Sequence, residues 1–110
     1  MISEIKAIIR PERLPDVLRA LHLISNLPGV TVSTVRGFGR RFPTEDAEPI
    51  FDEVEMTKLE IVVADTVVSQ VVQVLEQTAH TGHAGDGKIF VIPVRHAIKI
   101  RSGKHDLDAL

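Results

Sequence analysis

The order of short β-branched runs and amphipathic stretches predicts an α+β domain of split β-α-β type (βαββαβ), with an antiparallel sheet and a long loop between strands two and three. Three observations carry that reading. Two stretches repeat apolar residues at helical spacing, four others are short and β-branched, and each helix falls between two strands. At 110 residues, with 44% hydrophobic and 25% charged residues, the chain has the size and composition of one globular domain.

"IKAIIR" (Ile5–Arg10) is β-branched and stopped by Pro11, which suits a first strand. Leu14, Val17, Leu18, Leu21 and Ile24 then recur at helical spacing, with Pro15 and Asp16 suited to a first turn and "SNLPG" (Ser25–Gly29) to a stop. "VTVSTVRGFG" (Val30–Gly39) alternates as a second strand. From Arg40 to Met56 the pattern fails: two prolines and six carboxylates follow no consistent period, as in a functional connecting loop. "KLEIVV" (Lys58–Val63) is a third strand, and Asp65 or Thr66 can cap a helix whose face holds Val67, Val71, Val74, Leu75 and Thr78. "KIFVIPV" (Lys88–Val94) is a fourth strand, "HAIKIR" (His96–Arg101) a short last one, and residues 102–110 a loose tail. With both helices on one face and strands two to four apolar on both faces, the open face needs cover, which points to oligomerisation.

A net charge of −2 gives no reason to expect nucleic acid. The absence of cysteine removes disulfides and thiolate chemistry. No apolar run approaches a membrane span, and Glu4 breaks the only short apolar run near the start, so a cytoplasmic protein without membrane insertion is expected.

The chemistry concentrates in "TGHAGDGK" (Thr81–Lys88). Gly82, Gly85 and Gly87 allow positive φ, so backbone N–H groups can converge on an anion, with Lys88 adding a cation. A strand follows rather than a helix, so neither the P-loop nor the dinucleotide fingerprint fits. "RGFGRR" (Arg36–Arg41) and "KIR" (Lys99–Arg101) supply further cations suited to a polyphosphate.

"TGHAGDGKIFVIPV", "RGFGR" and "IKAIIRPERLPDVLRAL" resemble the PII signal-transduction family over nearly the whole chain. The resemblance implies a single ferredoxin-like domain (1–110) that assembles as a homotrimer and binds ATP or ADP between subunits. It implies that Gly37, Phe38, Gly39 and Arg40 lie beside the nucleotide, and that Thr31, Glu60 and Val62 surround the adenine. Gly85, Asp86, Gly87 and Lys88 fall in the phosphate loop, and Lys99 and Arg101 reach the phosphates from the adjacent subunit. Lys99 stands where the family usually has arginine, turning a forked contact into a point charge. The resemblance implies a regulator, not an enzyme. Its 40–56 segment occupies the place of the family's T-loop, which docks onto a transporter or enzyme.

Three departures stand out. The chain has no tyrosine, so the family's uridylylation is chemically impossible, and with no serine in the 40–56 loop either, Thr44 and Thr57 are left as phosphorylation candidates. Arg41 replaces the glutamine that helps bind magnesium, and a guanidinium cannot ligate a cation, which leaves magnesium open. Met56 replaces the lysine that pairs with 2-oxoglutarate. Weak or absent 2-oxoglutarate binding follows, and Arg41 becomes a candidate for a small second anion. The alternative is an accessory protein responsive to bicarbonate or metal, serving a carbon-uptake, carboxysome or metal-efflux system.

His80, His83 and Asp86 are too loosely spaced for a closed metal site, so no metal ligands are assigned. An acylphosphatase reading of the same topology fails, because Pro11 follows Arg10 and the only asparagine is Asn26, in a turn.

Overall fold

The computed structural model describes residues 1–110, the side chain of Arg41 excepted. Its elements follow in the expected order: β1 (Ile2–Ile9), α1 (Leu14–Leu21), β2 (Thr31–Arg41), β3 (Ile50–Ala64), α2 (Asp65–Ala79) and β4 (Lys88–Val94). The strands form one sheet in the order β2-β3-β1-β4, every neighbour antiparallel. β3 is thus inserted between β1 and β2, and β1 between β3 and β4, the interleaving that defines a split β-α-β domain. Pro93, which has no N–H to give a ladder, sits in the edge strand β4.

Alternation decides which face is covered. Ile5, Ala7 and Ile9 of β1 and Leu59, Ile61 and Val63 of β3 bury against Val17 and Leu21 of α1 and Val71, Leu75 and Ala79 of α2. All five apolar positions of the first helical stripe join this core, although α1 itself ends at Leu21 and Ile24 follows in a turn. Thr78 departs from the expected α2 stripe. Its hydroxyl donates to the Val74 carbonyl at 2.7 Å, its own carbonyl accepts Arg13 Nε at 2.9 Å, and Ala79 takes the buried place. Neither Asp65 nor Thr66 caps α2. Ala64 occupies the cap, while Asp65 lies in the first turn and accepts the Ser3 hydroxyl at 2.6 Å.

The opposite face is mixed rather than apolar. Registered rows place Lys6 beside Glu60 and Phe90, and Glu4 beside Val62 and Ile92. Lys58 and Glu60 pair at 3.5 Å, while Phe90 and Ile92 remain exposed. The expectation that strands two to four are apolar on both faces overlooked that the polar half of β3's alternation, Lys58 and Glu60, falls there.

Two segments depart from their expected form. Much of 40–56 is regular: the β2–β3 ladder continues from Arg36↔Glu55 to Arg41↔Ile50, and only residues 42–49 lie outside strands. This two-stranded ribbon runs beyond β1, whose pairing with β3 stops at Thr57, and gives the molecule its 56 Å length. Both ribbon faces meet water, so the alternation that marks a half-buried strand is missing from its sequence. At the other end, the fifth strand expected at His96–Arg101 is a turn with one isolated bridge, Ile98↔His105. The stretch expected as a loose tail folds back through Asp106, whose N–H donates to the Ala97 carbonyl at 2.7 Å, and ends in a 3-10 turn at Asp106–Ala109. No helix is long and apolar enough to cross a membrane among the described residues.

Candidate functional site

The glycine loop leaves α2 at Ala79 and enters β4 at Lys88. Gly82, Gly85 and Gly87 all have positive φ, at 86°, 94° and 101°. Gly87 is also fixed by space, since a Cβ there would lie 1.7 Å from the Ile8 carbonyl oxygen. β1 and the loop therefore touch backbone to backbone.

Asp86 organises the loop. One carboxylate oxygen accepts Arg10 Nε at 2.8 Å and the Thr81 hydroxyl, and the other accepts the N–H groups of Thr81 at 2.8 Å and Gly82 at 3.0 Å. The Thr81 hydroxyl first, and Arg10 next, hold this carboxyl well below the usual carboxylate range. Arg10 Nη2 also donates to the Ala84 carbonyl at 2.5 Å. Both oxygens of Asp86, a residue expected in the phosphate loop, thus accept from Thr81, Gly82 and Arg10. Lys88 is exposed at the mouth of a cavity of about 330 Å³ shared with Ile8, Leu75 and Gly87.

Thr31, Glu60, Val62 and Lys99 come together in a second cleft, of about 530 Å³, with Glu4 and Leu110 on its wall. Thr31 and Glu60 are direct cross-strand partners, and the C-terminal turn brings Lys99 over them. Glu4 Oε1 is buried there with no hydrogen-bond partner.

Gly37, Phe38, Gly39 and Arg40 form a third group, on the ribbon. Phe38 is exposed, and the Arg40 guanidinium lies 5.5 Å from the Phe42 ring centre. Gly37 and Gly39 have no positive φ, and a Cβ on either would meet nothing nearer than 3.7 Å. The chain's own packing does not require glycine at those two places. Arg101 is exposed in the C-terminal turn. Arg41, considered for a second anion, has its side chain outside the described residues, and Met56 is buried at the ribbon base.

These three groups do not converge within the chain. The glycine loop feeds β4 and the ribbon grows from β2, at opposite edges of the sheet. Three strand spacings separate those edges, roughly 14 Å. Arg10 and Thr81 were not singled out from sequence as loop-holding residues. Arg10 lies 76 positions from Asp86, and no local pattern links them. Among the described residues, no three histidine or carboxylate side chains group as metal ligands.

The family profile described as nitrogen regulatory protein P-II matches residues 2–104. The nitrogen regulatory protein P-II of Azospirillum brasilense is 39% identical, over 99% of this chain and the whole of that one. Among solved structures, the B. subtilis GlnK–ATP complex superposes with a TM-score of 0.89 at 31% identity, covering 99% of this chain and 97% of that one. Arabidopsis thaliana PII bound to citrate gives 0.83 at 41% identity, covering 99% and 92%.

Proposed function

The chain belongs to the nitrogen regulatory protein P-II family, a family of regulators rather than enzymes, and on that premise we propose that it senses adenine nucleotides as a homotrimer. ATP or ADP binds between neighbouring protomers. Gly85, Gly87 and Lys88 of one protomer face the phosphates, Lys99 and Arg101 of the next close over them, and Thr31, Glu60 and Val62 receive the adenine. Occupancy shifts the conformations open to the 40–56 ribbon and so its affinity for a transporter or enzyme, in the cytoplasm. Neither uridylylation nor 2-oxoglutarate enters this scheme.

The observation that carries the reading is the separation of three cation-bearing groups that one protomer keeps apart. A threefold assembly would let β4 and the glycine loop of one copy meet the C-terminal turn of another. The similarity to a GlnK solved with ATP supports the ligand class.

Titration calorimetry with ADP and ATP tests it. Lys88→Ala and Arg101→Ala should each weaken binding by about 1–3 kcal/mol, the scale of a charge-assisted contact. Normal binding by both variants would remove the cleft from consideration.

A further inference from the structure

The glycine loop carries an anion where an anion is to be bound. Asp86 sits between Gly85 and Gly87, and an uncompensated carboxylate there would repel a phosphate. Its charge is met from within the protomer by the Thr81 hydroxyl, two backbone N–H groups and Arg10. Arg10 is the full cation of that set, and it alone reaches the loop from β1's end, bonding the Asp86 carboxylate at 2.8 Å and the Ala84 carbonyl at 2.5 Å. Both side chains of the pair are about three-quarters shielded, at 26% and 23% exposure, unlike an open surface pair. A Cβ on Gly85 would lie 3.4 Å from Arg10 Nη2, so the guanidinium fills the space beneath the loop.

We infer that Arg10 is a positioning residue for phosphate recognition: it clamps the glycine loop through Asp86 and Ala84 and cancels the Asp86 charge. Resting on the nucleotide reading above, this inference divides the loop's residues into two kinds. Gly85, Gly87 and Lys88 meet the ligand, while Asp86 and Thr81 belong to the clamp. Lysine at position 10 would keep the charge but lose the guanidinium's planar fork, so it would hold the Asp86 carboxylate and the Ala84 carbonyl in a less fixed geometry.

Titrations of ADP and of adenosine, which lacks phosphates, into wild type, Arg10→Lys, Arg10→Gln and Arg10→Gln/Asp86→Asn test the clamp. Arg10→Gln should lower ADP affinity roughly ten-fold or more while adenosine affinity stays unchanged. Arg10→Lys should fall between it and wild type. Adding Asp86→Asn to Arg10→Gln should recover part of the ADP affinity, because the unscreened anion is gone. Amide exchange at Thr81 and Gly82, whose N–H groups bond Asp86, should quicken in Arg10→Gln. Equal ADP binding by wild type and Arg10→Gln would overturn the inference. So would a parallel loss of adenosine affinity, no recovery in the double variant, or unaltered exchange. A wild type that binds no ADP would instead sink the nucleotide reading itself.

Discussion

Gly87 and Ile8 approach so closely that a Cβ on Gly87 would stand 1.7 Å from the Ile8 carbonyl oxygen and 2.8 Å from its carbon. Backbone cannot yield there as a flexible side chain would, and φ at Gly87 is 101°. Gly87→Ala should therefore destabilise the fold by roughly 1–3 kcal/mol from the backbone conformation alone, with displacement of the loop added. Gly39 is the contrast: nothing lies within 4 Å of its Cβ position and its φ is not positive. Gly39→Ala should leave stability within about 0.5 kcal/mol of wild type. Paired thermal melts check both, and a Gly87→Ala protein as stable as wild type would contradict the close approach.

Asp86 sets a pH limit. Its folded carboxyl is held below the ordinary value of 3.8 by the Thr81 hydroxyl and Arg10. The unfolded state then binds the proton more readily, so this contribution to stability is fully present above about pH 4 and declines as pH falls further toward the depressed folded value. Asp86→Asn lacks this titration. The stability gap between wild type and Asp86→Asn should stay constant from neutral pH to about pH 5 and narrow below pH 4. Urea denaturation as a function of pH measures it, and a gap that widens on acidification would refute the assignment.

The periodic parts of this fold were legible because burial imposes a period. Leu14, Val17, Leu18, Leu21 and Ile24 mark one helix face, and all five meet the core. Lys88–Val94 was readable because a glycine loop and a β-branched run bound it. The far part of the ribbon, 40–41 and 50–55, was not, because a strand exposed on both faces has no apolar side to announce it. The C-terminal turn escaped for another reason: its order comes from contacts such as Asp106 with Ala97, between residues with no shared pattern. In the candidate site, the glycines and Lys88 were visible as local composition. The Arg10–Asp86 pair was not, since fold alone brings those positions together.

The family resemblance implies that Arg41 and Met56 stand where groups for 2-oxoglutarate are expected. Met56 is buried 3.9 Å from the Cβ position of Gly37, so an apolar side chain occupies the ribbon base where a cation is expected. Calorimetric titration of 2-oxoglutarate in the presence of magnesium and ATP should show no saturable heat. Micromolar binding would mean that other donors replace the missing lysine.

Lys88 and Arg101 offer the most direct examination of shared sites. In one protomer Lys88 begins the edge strand β4, while Arg101 lies in the C-terminal turn, whose neighbour Lys99 lines a different cleft from Lys88. If each nucleotide site takes Lys88 from one copy and Arg101 from another, Lys88→Ala and Arg101→Ala complement each other. An Arg101→Ala protomer still supplies Lys88, and a Lys88→Ala protomer still supplies Arg101. Unfolding the two variants together and refolding them as mixed trimers should restore wild-type affinity at about one site in four, the share expected from random threefold assembly. Each variant refolded alone should restore none. Calorimetry on the mixture reads this as a small population of tight sites above a weak background. A mixture that behaves as the sum of its two components would place Lys88 and Arg101 in the same protomer's site, and would end the inter-subunit reading.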